Sequence, residues 1–258
     1  MDLQLKDKLY VVTGATSGFG RAIAEALITE GAHVIINARN ENKLLSFQDM
    51  YPSQIEIIAG DITTDATISK LINVIGDKNL AGVVLNAGGP PAMSFVKSNL
   101  SDWDNAYESL LRWKVKLTKE LLPVLQKDNS GRIIYIESAS VKQPIDNLVL
   151  SNSLRLAVVG FVKSLSNEIA HTGITMNIIA PGYHDTAAME RLFANKSETM
   201  GITTSEAKTR FEKDILTGKM GNPNDLASLA VWLLSPYSNY ITGQTIAVDG
   251  GLIKSVFS

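Results

Sequence analysis

Val11-Val12-Thr13-Gly14-Ala15-Thr16-Ser17-Gly18-Phe19-Gly20 decides how the rest of the chain is read. It follows a short apolar run, 9–12, that reads as a buried strand. It precedes 21–28, where the apolar residues recur at helical spacing. A strand, a glycine-rich turn and a helix together offer free backbone N–H groups and the positive end of a helix dipole to a phosphate. Gly14 permits the tight turn, Gly18 lets the backbone approach a pyrophosphate, and Gly20 lets helix and strand pack closely. Thr16, Ser17 and Phe19 complete the candidate contact set. The spacing is Gly-x-x-x-Gly-x-Gly, not Gly-x-Gly-x-x-Gly.

Outward from this turn, strands and helices alternate. Strands are expected at 32–38, 55–60, 82–86, 132–136, 175–179 and 245–248. Helices are expected at 40–50, 64–75, 103–125, 152–171 and 224–234, with a polar, helix-rich segment over 188–220. Near-continuous apolar strands separated by helices predict a parallel sheet covered on both faces. Right-handed crossovers then give a doubly wound Rossmann-type α/β fold of about seven strands. No Pro/Gly/Ser-rich linker or repeat interrupts 1–258, so a single dinucleotide-binding domain is expected. Ligands of such sheets sit outside the carboxyl ends of the strands. Gly14, Arg39, Asp61, Asn86, Ser138 and Pro181 all fall there on this reading.

Composition narrows the partners. Lys and Arg number 24 against 26 Asp and Glu, with no block of like charge. Nucleic acid and anionic membrane need concentrated basic charge, so neither is expected. No cysteine and only three scattered histidines, His33, His171 and His184, argue against disulfides, thiolate chemistry and a metal site. No run approaches the length of a membrane span. Residues 1–8 are mixed polar without a signal-peptide core, and the default expectation is cytoplasmic.

The ordered motifs Thr13-Gly14-x-x-x-Gly18-x-Gly20, Asp61, Asn86-Ala87-Gly88, Ser138, Asn177-Ile178-Ile179-Ala180-Pro181-Gly182, Thr186 and Thr242-Gly243-Gln244-x-x-x-Val248-Asp249-Gly250-Gly251 resemble the short-chain dehydrogenase/reductase family. The resemblance spans nearly the whole chain and is nearest to the branch of 3-oxoacyl-acyl-carrier-protein reductases. It implies that Gly14, Gly18 and Gly20 hold the pyrophosphate. It implies that Asp61, followed by Ile62, meets the adenine, with helix capping as the alternative role of Asp61. Asn86, Ala87 and Gly88 lie by the adenine ribose, and Pro181, Gly182 and Thr186 orient the nicotinamide. The acid that takes the ribose hydroxyls in NAD users is replaced by Ala38, and Arg39 follows. A guanidinium suits a 2′-phosphate, so NADP(H) is expected over NAD(H). The family also implies a homotetramer or dimer built through its two long helices.

The catalytic half departs from the family, which uses Ser, then Tyr thirteen residues later, then Lys four after that, and an Asn on the preceding long helix. Ser138 is in place, but Ser151 stands at the Tyr position, Arg155 at the Lys position and Leu110 at the Asn position. A serine hydroxyl is a far weaker acid than a phenol, and Arg155 cannot give up a proton at working pH. Arg155 could still bind the nicotinamide ribose. Tyr183 and His184, on the loop after Pro181-Gly182, and Lys142 and Tyr135 are the nearby candidates for a rearranged donor. The alternative readings are a loop residue packing on the cofactor for Tyr183, a surface residue for His184, a solvated loop charge for Lys142 and a core residue for Tyr135. Ser138, Ser151 and Asn152 could hold a water. The leading expectation is an NADP(H)-dependent oxidoreductase acting on a small-molecule carbonyl or alcohol through a non-standard proton relay. A dinucleotide-binding sensor without turnover and a structural partner of an active family member are the alternatives. Met189, Leu192 and Phe193, with Leu148, Val149 and Leu150, are candidate lining for an apolar substrate lid.

Overall fold

In the computed structural model, which describes residues 1–127 and 129–256, seven parallel strands form one sheet in the order β3-β2-β1-β4-β5-β6-β7. The strands are β1 (Leu9–Thr13), β2 (His33–Ala38), β3 (Ile55–Ala59), β4 (Leu80–Leu85), β5 (Arg132–Ile136), β6 (Thr175–Pro181) and β7 (Thr245–Val248). The order reverses between β1 and β4, which opens a crevice at the carboxyl ends of those two strands. This is a doubly wound Rossmann fold, as the alternation of apolar strands and helices implies.

The helices are α1 (Gly18–Thr29), α2 (Glu41–Met50), α3 (Asp65–Ile75), α4 (Leu100–Tyr107), α5 (Trp113–Leu125), α6 (Val149–Ile169), α7 (Ala187–Met200), α8 (Thr204–Glu212) and α9 (Pro223–Leu234). Alternating strand residues point to opposite faces. Val12, Ile36 and Val84 therefore join α1 and α9 in one core, while Val11, Ile35 and Val83 join α3, α5 and α6 in the other. Asn37 locks β2 to the chain leaving β3 by donating Nδ2 to Ile58 O at 2.9 Å and Gly60 O at 3.1 Å.

The helix expected over 103–125 divides. Asn99 and Asp102 form a capping box that starts α4 earlier, at Leu100. A five-residue π-helical turn, Glu108–Arg112, then separates α4 from α5. Such a turn inserts a residue into the helical phase, and apolar periodicity alone does not reveal it. The 188–220 segment resolves into α7 and α8. There Met189 and Phe193 pack with Ala207, Ile215 and Met220, and Leu192 lies partly buried against them. Those lid candidates thus form a small core of their own.

Candidate active site

The glycine turn closes as its spacing implies. Thr13 accepts Asn86 N–H at Oγ1 (2.8 Å) and donates the same hydroxyl to Asn86 O (2.7 Å), tying the ends of β1 and β4 together. Asn86 Nδ2 reaches Thr13 O and Gly14 O, both at 3.3 Å. Gly14 sits at φ +62°, and a Cβ on Gly20 would fall on Gly14 O. Larger residues at either place would break the turn. Gly18, at φ +53°, meets only Thr186, 3.6 Å from where its Cβ would stand.

The N-terminus of α1 is left uncommitted by the protein. Ser17 is its N-cap, yet its side chain makes no capping hydrogen bond, and the first turn carries no acidic residue. Thr186 caps α7 without using its side chain either, and its methyl group faces Gly18. The first loop and the loop after β6 therefore approach each other over the free N–H groups of α1, which is the requirement for seating a phosphate.

Around the crevice, Arg39 is exposed just beyond β2 and forms no ion pair among the described residues. Asp61 does not cap α3. Thr64 does, accepting Thr67 N–H at 3.3 Å, because Asp61 already accepts Thr63 N–H (3.0 Å) and Thr63 Oγ1–H (2.9 Å) in a turn of its own. Ile62 is buried beneath it. Gly88 is exposed, and no atom lies within 4 Å of where its Cβ would stand. Ala87 is partly buried between Asn86 and Gly88.

The structure removes most of the candidate proton donors. Tyr135 is fully buried in β5, and its hydroxyl shares a 2.6 Å hydrogen bond with Thr118 Oγ1. Burial pushes its phenol far above the ordinary range. His184 is 2% exposed. It packs edge-on against Phe19 with ring centroids 5.0 Å apart, and its Nδ1 lies 3.2 Å from Gly182 O. It joins the loop after β6 to the glycine turn and does not face the crevice, so both the donor role and the surface position expected for it are corrected. Burial also lowers its pKa. Tyr183 stacks edge-on with Phe211 at 5.0 Å and belongs to the small core under α7 and α8, with its phenol raised by burial. Asn152 is not available to hold a water with the serines. Its side chain clamps Ile145, donating Nδ2–H to the carbonyl at 2.9 Å. Lys142 is partly buried, its pKa lowered by that burial against the opposing charge of Asp249.

At the altered positions lies a buried charge network. Arg155 donates Nε–H to Ser151 Oγ at 3.0 Å and Nη1–H to both Glu137 O (3.1 Å) and Glu137 Oε2 (2.9 Å). The second oxygen of Glu137, Oε1, receives a short ion-pair hydrogen bond from Lys114 Nζ on α5. The side chains of Glu137, Lys114 and Arg155 are 0%, 2% and 9% exposed. The remaining guanidinium nitrogen, Nη2, has no hydrogen-bond partner among the described residues and lies 3.1 Å from where a Cβ on Gly89 would stand. Burial lowers the Lys114 pKa. Glu137 opposes that shift and the charge of Arg155 adds to it. Ser138, next to Glu137, caps the short turn Ala139–Val141 by accepting Ser140 N–H at 3.1 Å. Leu110, in the π turn, is buried and apolar.

Sequence reasoning reached Ser151 and Arg155 but missed Glu137 and Lys114. Both left a signal. Glu137 ends an otherwise apolar strand, and Lys114 interrupts the apolar stripe of Leu110, Trp113, Leu117 and Leu121. A lysine on a core-facing stripe requires a buried partner, and Glu137 is that partner.

Comparison with known proteins places the whole molecule. The family described as enoyl-(acyl carrier protein) reductase matches residues 14–253. The 3-oxoacyl-acyl-carrier-protein reductase FabG of Vibrio cholerae is 31% identical over 97% of this chain and 99% of its own. L-sorbose reductase from Gluconobacter frateurii, solved with NADPH and L-sorbose, superposes with a TM-score of 0.92 at 25% identity, covering 99% of this chain and 100% of the other. An actinorhodin polyketide ketoreductase solved with NADPH superposes with a TM-score of 0.91 at 28% identity, covering 96% and 98%. With the glycine turn, the β1/β4 crevice and this full-length match in hand, the chain belongs to the short-chain dehydrogenase/reductase family of oxidoreductases.

Proposed function

We propose that this protein is an NADP(H)-dependent oxidoreductase that reduces a small-molecule carbonyl, or oxidises the corresponding alcohol, without the family's Tyr–Lys relay. The uncommitted N-terminus of α1 carries the reading. Among the described residues, neither Ser17 nor Thr186 uses its hydroxyl as a helix cap, Gly18 lets the backbone pass Thr186 at ordinary contact distance, and Gly14 and Gly20 hold the turn tight. These residues fit a pyrophosphate. Arg39, exposed and free of an ion pair among the described residues, fits a 2′-phosphate. NADPH, when bound, supplies the hydride.

Within this reading, Gly88 and the crevice edge admit the cofactor's ribose, and Pro181 and Gly182 flank the nicotinamide. Ser138 and Ser151 are the hydroxyls next to the acceptor oxygen. Orientation alone supplies much of such a rate, whereas proton delivery typically adds ~10²–10⁴-fold. No helix among the described residues is long and apolar enough to cross a membrane. The reading includes a cytoplasmic homotetramer or dimer assembled through α5 and α6, for which a monomer in light scattering would be contrary evidence.

The test is calorimetric titration with NADPH and NADH in parallel, followed by absorbance assays against a panel holding 3-oxoacyl, polyol-derived keto and enoyl acceptors. Tight NADPH, weak NADH and turnover of at least one acceptor are expected. Tight NADPH without turnover would instead identify a dinucleotide-binding sensor. Binding of neither nucleotide would reject the reading.

A further inference from the structure

Three charged groups share the space behind Ser138 and Ser151. Glu137 offers one carboxylate to two cations, Lys114 and Arg155, so the cluster carries a net positive charge, with Glu137 and Lys114 closed to water and Arg155 9% exposed at its edge. Such a charge is screened little. Two of the five guanidinium donors of Arg155 lie on Nη2, which faces the Gly89 side and is free of described partners. Besides Glu137, the Lys114 ammonium meets only the Trp113 ring, centroid 5.7 Å away, among the described residues. Lys114 touches no surface, and its aliphatic stem sits where α5 otherwise buries Leu117 and Leu121.

We propose that Lys114 is a positioning residue for the reduction, setting through Glu137 the positive charge that Arg155 presents to the acceptor oxygen. This rests on the reductase reading above. Hydride addition to the acceptor carbon moves the π electron pair onto oxygen. Arg155 meets that developing charge, and a solvent proton completes the alcohol. A preorganised cation in a dry site is worth far more than the same charge in water. Arg155 keeps its proton throughout, which leaves Lys114 as the member of the cluster whose charge can change. The groups that face it are Glu137 at the end of β5 and Arg155 on α6. One turn further along α5, Thr118 is bonded to the Tyr135 phenol. Below the Lys114 pKa the cluster carries +1. Above it the charge vanishes, and the reductive rate falls while the pH is still short of the ordinary lysine range.

The test compares wild type with Lys114→Arg and Lys114→Met, measuring NADPH affinity and kcat across alkaline pH with an acceptor that the panel identifies. Lys114→Arg should keep the neutral-pH rate and lose the alkaline fall, because arginine does not deprotonate there. Lys114→Met should lower kcat at neutral pH by about tenfold or more, short of the ~10²–10³-fold of a direct oxyanion donor, with NADPH affinity unchanged. Should Lys114→Met fail to fold, Lys114→Arg alone carries the test. In parallel, NMR of ¹³Cε-lysine-labelled protein, with the Lys114 signal identified by its absence in Lys114→Arg, should show it titrating below the other lysines. An alkaline fall that persists in Lys114→Arg, or an ordinary titration of Lys114, overturns the proposal while leaving the reductase reading standing. Absence of turnover in wild type rejects the reductase reading, and this one with it.

Discussion

Replacing Glu137 by glutamine tests the buried network most directly. In wild type the carboxylate accepts from Lys114 on one oxygen and from Arg155 on the other, with no exposure of its own side chain. Glutamine has nearly the same shape but only one acceptor oxygen, and its NH₂ group must face one of the two cations. The cluster charge rises from +1 to +2, with Lys114 fully buried and Arg155 nearly so. Removing one partner from a buried ion pair costs about 3–5 kcal/mol. At about 2–4 °C per kcal/mol for a chain of this size, the melting temperature should fall by roughly 6–20 °C. The pH dependence sharpens the test. Burial already lowers the Lys114 pKa, and Glu137 opposes that shift. In Glu137→Gln the opposition is gone, so the folded-state value drops further while the unfolded value stays near ~10.4. Between the two values the unfolded chain binds more protons, so stability rises with pH. The deficit of Glu137→Gln is therefore largest at neutral pH and shrinks toward the ordinary lysine range. Adding Lys114→Met, which removes one of the two stranded cations, should recover part of the loss. Denaturant unfolding of the cofactor-free protein from neutral to alkaline pH measures all three. A deficit under about 1 kcal/mol that does not change with pH would refute the buried ionic network.

Three other perturbations probe the cofactor half and the altered positions. Gly20→Ala places a methyl group on Gly14 O, and should cost about 1–3 kcal/mol of stability together with NADPH affinity. Equal affinity in a calorimetric titration would show that the turn does not shape the phosphate site. On the proposed reading Arg39→Ala removes a charge-assisted hydrogen bond to the 2′-phosphate worth about 1.5–3 kcal/mol, so NADPH should weaken by roughly 10–100-fold and NADH should not change. Equal weakening of both would exclude the phosphate role. The double variant Ser151→Tyr/Arg155→Lys restores the family's residue types but drives a phenol into a site where Ser151 is 8% exposed and 3.0 Å from Arg155 Nε. It should lose about 1–3 kcal/mol of stability without a gain in turnover, since Glu137 would still draw the new lysine. A rise in turnover above wild type would show that the Glu137 network is no obstacle to the usual relay.

How much of this was legible in the sequence differs between the two halves of the site. The strands, the glycine turn and the crevice follow from local rules: apolar runs, a helix after a turn, and glycines where no Cβ fits. Arg39, Asp61, Asn86 and Thr186 sit at strand or loop ends, where order along the chain already fixes position in space. Tyr135 lies in the core as its strand implies, but Tyr183 and His184 escape local reasoning for the opposite reason. Proximity in sequence to Pro181-Gly182 suggested that Tyr183 and His184 face the crevice, yet each is turned away by a partner far along the chain, Phe211 for Tyr183 and Phe19 for His184. Asn152 was likewise taken by Ile145. Such pairings arise from tertiary packing, which no local spacing encodes. The π turn before α5 had the same effect on Lys114, since the helical phase that aims it at Glu137 depends on one inserted residue.

The four residues at the altered site explain one another in a way that single substitutions cannot. A carboxylate at position 137 alone would be buried without a counter-ion, at a cost of several kcal/mol. A lysine at 114 alone would fare no better, standing on an apolar stripe with the desolvation of its ammonium unopposed. Arginine at 155 needs an acceptor for Nε and acceptors for Nη1, and Ser151 and Glu137 provide them at hydrogen-bond distance. A tyrosine at 151 would leave no room for the first of these contacts. The loss of the phenol and the gain of the network are thus one structural change. Simple decay of a catalytic site would delete a hydroxyl or an amine and leave a cavity or a solvated gap. Here the space is filled by three charges that cost stability unless every member is present, and the cofactor turn beside them is intact. On the proposed reading that combination fits altered chemistry, with an excess positive charge held, at a cost in stability, beside Ser138 and Ser151.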